Sequence, residues 1–201
     1  MHDVAIKAAL AKPITHQIGG HLALDFCNTA GEHLAAQPDE MLLDWELFIR
    51  WTVQVGLVAS ESYPELFRNP SPVDKIVQLR EAIYRVGLAI ARNERVPQPD
   101  LLAIHRQANV SKPTVISGRY GTRWRPDPPR ASAQLRALLA SEALSLFCSP
   151  RSSRIGICEG GQCGWLFLDE SRGKRRRWCD MNDCGNKAKA RRYYQQQHQS
   201  K

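Results

Sequence analysis

The chain has 201 residues, a hydrophobic fraction of 43% and a formal net charge of +8 at pH 7. This length suits one ordinary domain with a small addition, and the hydrophobic fraction is that of a globular protein. No run of eighteen apolar residues occurs, and residues 1–13 lack the apolar segment of a signal peptide, so we expect no membrane span and a cytoplasmic location.

The positive charge is concentrated at the C-terminal end. Residues 151–201 contain twelve Lys and Arg against five Asp and Glu, whereas residues 1–150 are nearly neutral. This asymmetry indicates a near-neutral body joined to a basic segment with a different role. We predict the domain boundary near residues 150–154, which gives domains over 1–150 and 151–201.

The first predicted element is a strand within residues 14–29, in which the alternation covers residues 21–27. Leu22, Leu24 and Phe26 alternate with more polar neighbours, which is the period of a strand with one buried face. We therefore expect this segment to place one apolar row against the core.

Four polar residues on or just after this strand are candidates for a ligand pocket: His21, Asp25, Asn28 and Thr29. His21 and Asp25 would point the same way along the non-core face, and a small-molecule effector would suit a sensing domain. The alternative is that Asp25 and Asn28 cap a turn or bond backbone groups.

Helical periodicity dominates the rest of the body. Apolar residues recur at intervals of three and four in four segments: residues 44–56, 73–93, 100–109 and 131–147. Asp44 is the predicted N-cap of the first segment, and residues 114–124 are expected to form a hairpin that turns near residues 118–121. The chain is thus predicted to be α+β, with a mostly helical N-terminal domain and a small β component.

Four of the six cysteines cluster within 27 positions: Cys158, Cys163, Cys179 and Cys184. Each pair is separated by four residues, so a loop can bring both sulfurs to one metal ion. Four thiolates close the coordination sphere of zinc, which predicts one structural Zn²⁺ and no catalytic site. A segment of about fifty residues also needs such a metal, because it buries too little apolar surface to fold alone.

Two disulfides or an iron–sulfur cluster are the alternatives to zinc. A reducing cytosol disfavours disulfides, and paired ligands flanked by strands disfavour the cluster. The remaining residues carry no phosphate-binding loop, nucleophile motif or open metal site, so we expect no enzymatic activity.

The segment around the cysteines is predicted to be a zinc-bound ββα-like finger. Its expected strands are residues 164–168 and 175–178, and its expected helix runs from Lys187 to about residue 196 after an Asn186 cap. We expect Cys158→Ser or Cys184→Ser to unfold this module and to leave residues 1–150 folded.

The sequence here resembles the CGNR zinc finger family, in CGWLFLD at 163–169, RWCDM at 177–181 and CGNKAK at 184–189. The body resembles the ABATE domain that precedes this finger in bacterial proteins, notably in GHLALDFCNT at 20–29. The resemblance implies a stress-linked bacterial transcription regulator whose finger binds DNA. Lys187 departs from the family motif, which has Arg at this place, and Lys cannot replace a bidentate Arg contact.

Basic residues on two elements converge on the predicted metal. The candidates for nucleic-acid contact are Arg172, Lys174, Arg175, Arg176, Arg177, Lys187, Lys189, Arg191 and Arg192. Lys187, Arg191 and Tyr194 would share one helical stripe that could lie along a groove of DNA. The alternative is that these basic side chains are solvated surface charges that contact no nucleic acid.

DNA is the predicted partner, and a homodimer is expected because many bacterial regulators read two half-sites. Two other partners fit a basic zinc module. One is an acidic protein that docks on the finger, and the other is RNA, which would favour stacking on Tyr193 or Tyr194.

Overall fold

A computed structural model describes residues 13–110, 112–118 and 121–199. Seven α-helices lie in these ranges: α1 (Leu22–Cys27), α2 (Trp45–Gln54), α3 (Tyr63–Phe67), α4 (Asp74–Ala91), α5 (Gln98–Ala108), α6 (Ala131–Phe147) and α7 (Asn186–Gln199). Six short strands form three antiparallel pairs: β1 (Ala30–Gly31) with β2 (Asp39–Glu40), β3 (Thr114–Gly118) with β4 (Gly121–Arg125), and β5 (Ile155–Ile157) with β6 (Leu166–Leu168). The predicted α+β class is confirmed.

Most of the predicted helices form within a few residues of their expected bounds. The carboxylate of Asp44 caps α2, because its Oδ1 accepts a hydrogen bond from the Leu47 N–H at 2.8 Å. Helix α4 buries Ile76, Leu79 and Ile83, and it contacts α1, α5 and α6. The main core therefore surrounds α4.

The structure bears on the prediction about membrane spans but not on the prediction about a signal peptide. None of the helices in the described ranges is both long and apolar enough to cross a membrane. The expectation about residues 1–13 falls almost wholly on residues that lie outside the described part of the chain.

The predicted strand around residues 21–27 is wrong, because this segment forms the helix α1. The His21 Nδ1 atom accepts a hydrogen bond from the Ala23 N–H at 3.2 Å and caps the helix. Residues 23–27 are all buried, since α1 lies against α4, α6 and β6 at once. A helix buried on every side has no exposed face, and the alternation of apolar residues was therefore misleading.

Arg80 is a charged residue of α4 that the fold buries. Its side chain is only 3% exposed, and its two terminal nitrogens each donate to Glu40 at 2.6 Å. Glu81 accepts from the same guanidinium at 2.8 Å. Glu40 lies in β2, 40 positions before Arg80 in the chain. A contact so distant in sequence leaves no trace in the periodicity of the helix.

The C-terminal hairpin differs from the predicted one. Strand β6 forms as expected, but its partner is β5, with Ile155 opposite Leu168 and Ile157 opposite Leu166. The predicted strand at 175–178 is an irregular loop. Gly156 permits the actual pairing, because a Cβ atom there would lie 2.7 Å from the Phe167 ring. The finger is still ββα-like, with both strands before the helix.

The hairpin β5–β6 belongs to the main core as well as to the finger. Ile155, Leu166 and Leu168 are buried among the residues of the helical body. A Cβ atom on Gly87 of α4 would lie 2.8 Å from Leu166 Cδ1, so the glycine allows close packing. The body and the C-terminal module are therefore joined by a shared apolar core.

Candidate metal centre and basic surface

The four clustered cysteines come from two loops that meet beside α7. Cys158 follows β5, Cys163 precedes β6, Cys179 ends the loop after β6, and Cys184 lies in a π-helical turn over Met181–Gly185. Their sulfur atoms all lie within 4.8 Å of one another. The fold thus gathers the two predicted ligand pairs at one point.

The distances between the sulfur atoms fit one tetrahedral zinc ion. Cys163 Sγ lies 3.7 Å from Cys179 Sγ, which lies 3.6 Å from Cys184 Sγ. Four sulfurs at about 2.3 Å from a central zinc would be separated by about 3.8 Å, whereas a disulfide requires about 2.05 Å. All four are free thiols, and a cluster of several iron atoms would need them further apart.

The loop between the first two ligands contains a glycine that the sulfur cluster requires. A Cβ atom on Gly160 would lie 2.7 Å from Cys184 Sγ and 3.1 Å from Cys158 Sγ. Any larger residue would therefore enter the space of the sulfurs. The adjacent Gly161 has φ +67°, a left-handed conformation that favours glycine.

Burial and the helix dipole have opposite effects on the thiolate form of Cys184. Burial raises the pKa of the Cys184 thiol, so zinc must displace protons when it binds. Cys184 lies two residues before α7, and the positive end of the helix dipole there stabilises negative sulfur. Asp180 Oδ1 accepts from the Asn182 N–H at 2.7 Å and fixes the turn that carries Cys184.

Arg176 stabilises the loop that ends at Cys179, and its side chain is turned away from the outer surface. Its guanidinium donates to the backbone carbonyls of Trp178 at 3.1 Å, of Ile18 at 2.9 Å and of Cys179. Its carbon atom Cζ also lies 4.3 Å from the centre of the Phe167 ring. We therefore exclude Arg176 from the surface available to nucleic acid, because its donors are engaged inside the protein.

The other basic candidates are exposed, and their partners divide them into two groups. Arg177 Nε donates to Glu159 at 2.7 Å, and Lys187 Nζ lies 2.8 Å from Asp183. Six exposed residues have no carboxylate partner within the described ranges: Arg172, Lys174, Arg175, Lys189, Arg191 and Arg192. Of these, Arg191 lies against the backbone at Gly161. The cationic surface is consequently smaller than the sequence predicted.

Two family models match the chain. The ABATE model, described as "Putative stress-induced transcription regulator", matches residues 20–150, which is more than half of the chain. The chain belongs to the ABATE family. A second model, the CGNR zinc finger, matches residues 154–197 and contains all four cysteines. No curated protein matches the chain.

The ABATE domain and the CGNR finger are tied together by hydrogen bonds next to the metal loop. The His33 N–H donates to the Cys163 carbonyl at 2.9 Å, and the Tyr84 hydroxyl donates to the Gly164 carbonyl at 3.0 Å. The Trp165 indole N–H donates to the Ala30 carbonyl at 2.7 Å. These contacts fix the zinc loop to the β1–β2 hairpin and α4.

A cleft of about 760 Å³ separates the β1–β2 hairpin from α7. Glu32 and Asp39 of the ABATE domain line one side, and Lys187, Arg191 and Tyr194 line the other. The predicted helical stripe therefore exists, but it faces the body of the same protein across this cleft.

The four predicted pocket residues of the ABATE domain bond mainly to the protein itself. Asp25 Oδ1 accepts from the Gly19 N–H at 2.8 Å, and the Thr29 hydroxyl donates to the Phe26 carbonyl at 2.7 Å. Asn28 bonds both backbone groups of Leu166. His21 caps α1, and its Nε2 atom lies 3.9 Å from Glu142 Oε2. This arrangement matches the structural alternative.

Sequence reasoning missed Gly160 and the role of Arg176. The Gly160-Gly161 pair was a usable signal, because adjacent glycines between two metal ligands indicate a close approach of backbone to sulfur. Arg176 lies within a run of like residues, and nothing in that run distinguishes the one whose side chain turns inward.

Proposed function

We propose that this ABATE-family protein is a transcription regulator that binds duplex DNA through its CGNR finger. The zinc ion has a structural role in this proposal, because four thiolates leave no coordination position for substrate or water. We propose no enzymatic activity for this protein. We also propose that it is located in the bacterial cytoplasm, where DNA is accessible.

The observation that carries the proposal is the exposure of α7. Every residue from 186 to 197 is exposed except the half-buried Ala188. The segment 186–201 contains no Asp or Glu. A helix with no apolar face does not gain stability from packing on its own protein. The N-terminal end of α7 is fixed by the metal site. The helix therefore has a defined direction and presents its positive charges to a partner.

DNA suits this helix better than a protein partner does. The major groove admits an α-helix, and phosphates supply negative charge along its whole length. The loop residues Arg172 and Arg175 add cations outside the helix. Phosphate contacts from two elements would fix the orientation of the finger on the duplex.

The ABATE domain would sense an effector or form a dimer in this proposal. Its core is continuous with β5 and β6, so a change in the domain would reach the zinc loop through packed side chains. A homodimer would present two fingers to two half-sites.

RNA is the second candidate because two tyrosines on α7 are exposed. Tyr193 is 59% and Tyr194 is 61% exposed, and aromatic rings stack on unpaired bases. This reading predicts tighter binding to single strands than to duplex.

Fluorescence anisotropy with a labelled duplex tests the proposal across a range of salt concentrations. The five cations that remain when Arg191, which lies against Gly161, is left out predict a log–log slope of about −4 to −5, since each phosphate contributes about −0.9. Cys184→Ser should abolish binding, whereas Cys148→Ser, outside the metal site, should not. Absence of salt-dependent duplex binding would contradict the proposal, and a preference for single-stranded RNA would favour the second candidate.

A further inference from the structure

The cations of α7 lie on two opposite faces of the helix. Successive residues are rotated by about 100°, so Lys187 and Arg191 lie within about 40° of each other. Lys189 and Arg192 lie about 160° and 140° from Lys187. The two pairs therefore cannot contact the same partner in the same way.

Lys187 forms an ion pair beside the four-cysteine site. Its Nζ atom lies 2.8 Å from Asp183 Oδ1, and Asp183 lies in the turn that carries the ligand Cys184. A zinc ion with four thiolates has a formal charge of −2, and the Lys187 ammonium group keeps the nearby Asp183 carboxylate from adding to it.

Arg191 lies against the loop between Cys158 and Cys163. A Cβ atom on Gly161 would lie 2.5 Å from Arg191 Nη1, so the guanidinium covers the backbone at that glycine. The preceding Gly160 contacts the sulfurs of Cys158 and Cys184 in the same way. Arg191 thus covers the loop whose inner side touches the thiolates.

The cleft in front of Lys187 and Arg191 is unsuited to DNA. Its volume of about 760 Å³ is that of a small-molecule site and is far too small for a duplex. Its opposite wall presents the carboxylates of Glu32 and Asp39, which would repel phosphate groups.

The opposite face of α7 has none of these restrictions. Lys189 and Arg192 are exposed, and neither has an ion-pair partner among the described residues. Tyr193 is 59% exposed beside Arg192.

We infer that Lys189 and Arg192 form the DNA-contacting face of α7, whereas Lys187 and Arg191 neutralise and brace the zinc–thiolate site. The inference rests on the proposed function and assigns its cations to two tasks. It also explains why Lys serves at position 187, because a compact ammonium group is sufficient to offset charge next to Asp183.

Two double variants with the same loss of charge test this division in the full-length, zinc-loaded protein. K189Q/R192Q should reduce the salt slope of duplex binding by about 1.8 and keep the zinc affinity of the wild type. K187Q/R191Q should keep the slope and lower zinc affinity by about tenfold, as the loss of groups around metal ligands does elsewhere. Zinc affinity is read by competition with a chelating dye.

The outcomes separate the inference from the function on which it rests. A wild-type protein without salt-dependent duplex binding would contradict the proposed function itself. A wild-type slope of −4 to −5 that falls more in K187Q/R191Q, with zinc still bound, would overturn only the assignment of faces. Equal reductions in both variants would overturn it as well, because the two faces would then be equivalent.

Discussion

Asn28 bonds Leu166 through both ends of its side-chain amide. Its Nδ2 donates to the Leu166 carbonyl at 2.9 Å, and its Oδ1 accepts from the Leu166 N–H at 2.9 Å. Asn28 is fully buried, and the two residues are 138 positions apart. This pair joins the end of α1 to strand β6 and thereby joins the ABATE domain to the finger.

Asn28→Ala is expected to lower the free energy of unfolding by about 2–4 kcal/mol, because it leaves the N–H and the carbonyl of Leu166 buried without partners. Urea unfolding followed by tryptophan fluorescence measures the change. Asn69→Ala is the matched control, since Asn69 makes an exposed bond to Glu65. A loss in Asn28→Ala no larger than in the control would show that water satisfies Leu166.

Removal of zinc is expected to destabilise the ABATE domain together with the finger. Without metal the four thiols lose their common ligand, and the hairpin that carries Ile155, Leu166 and Leu168 detaches from the main core. Each of these side chains contributes about 1.5–3 kcal/mol when buried. Because the core is shared, we expect residues 1–150 to lose stability in the metal-free chain, which differs from the prediction made from the sequence alone.

Hydrogen exchange after chelation measures this coupling directly. Amides of α4 next to Leu166 should lose protection in Cys158→Ser, whereas Cys148→Ser should keep the wild-type pattern and one zinc per chain. Full protection of α4 in a zinc-free chain would show that the two parts fold independently.

The sequence predicted the elements whose signals are local. The N-cap at Asp44, the spacing of Ile76, Leu79 and Ile83, and the two cysteine pairs each lie within one element or loop. Such patterns express a single face or a single loop closure, and they need no knowledge of the rest of the fold.

The sequence did not predict the features that depend on distant contacts. Helix α1 is buried on every side, so its periodicity carried no information about its neighbours. Arg80 and Arg176 look like surface residues until Glu40 and Ile18 are brought to them by folding. The junction between domain and finger was missed for the same reason, because Asn28 and Leu166 meet only in the folded chain.

Asp25 is expected to make stability fall as pH rises. Burial raises the pKa of Asp25 from 3.8 to about 6, against the smaller opposing effect of the Gly19 hydrogen bond. Between these two values the folded chain holds a proton that the unfolded chain has released, so the free energy of unfolding decreases with pH in that window. Above pH 6 the full cost of a buried carboxylate is present.

Asp25→Asn should therefore be more stable than the wild type at pH 7–8, by about 1–2 kcal/mol, and the two should converge near pH 4. Thermal unfolding at several pH values measures the difference. Asp39→Asn removes the same formal charge from an exposed strand residue and controls for net charge. A wild type that stays the more stable protein at pH 8 would contradict the assignment.

Arg176→Lys is expected to lower the free energy of unfolding by about 2–4 kcal/mol and to accelerate zinc loss. A lysine ammonium lacks the planar fork with which Arg176 reaches the carbonyls of Leu168, Trp178 and Cys179 at the same time. The carbonyls of Trp178 and Cys179 belong to the loop that presents Cys179 to the metal, so their loss of partners loosens a ligand.

The neighbouring substitution Arg175→Lys separates this structural role from charge. Arg175 is exposed, and its replacement by Lys keeps the positive charge. The bonds of Arg176 to the carbonyls of Trp178 and Cys179 are unchanged in this variant. Stability and zinc retention should therefore match the wild type in Arg175→Lys. Equal stability of the two variants would show that Arg176 acts only through its positive charge, and the residue would then return to the surface that DNA contacts.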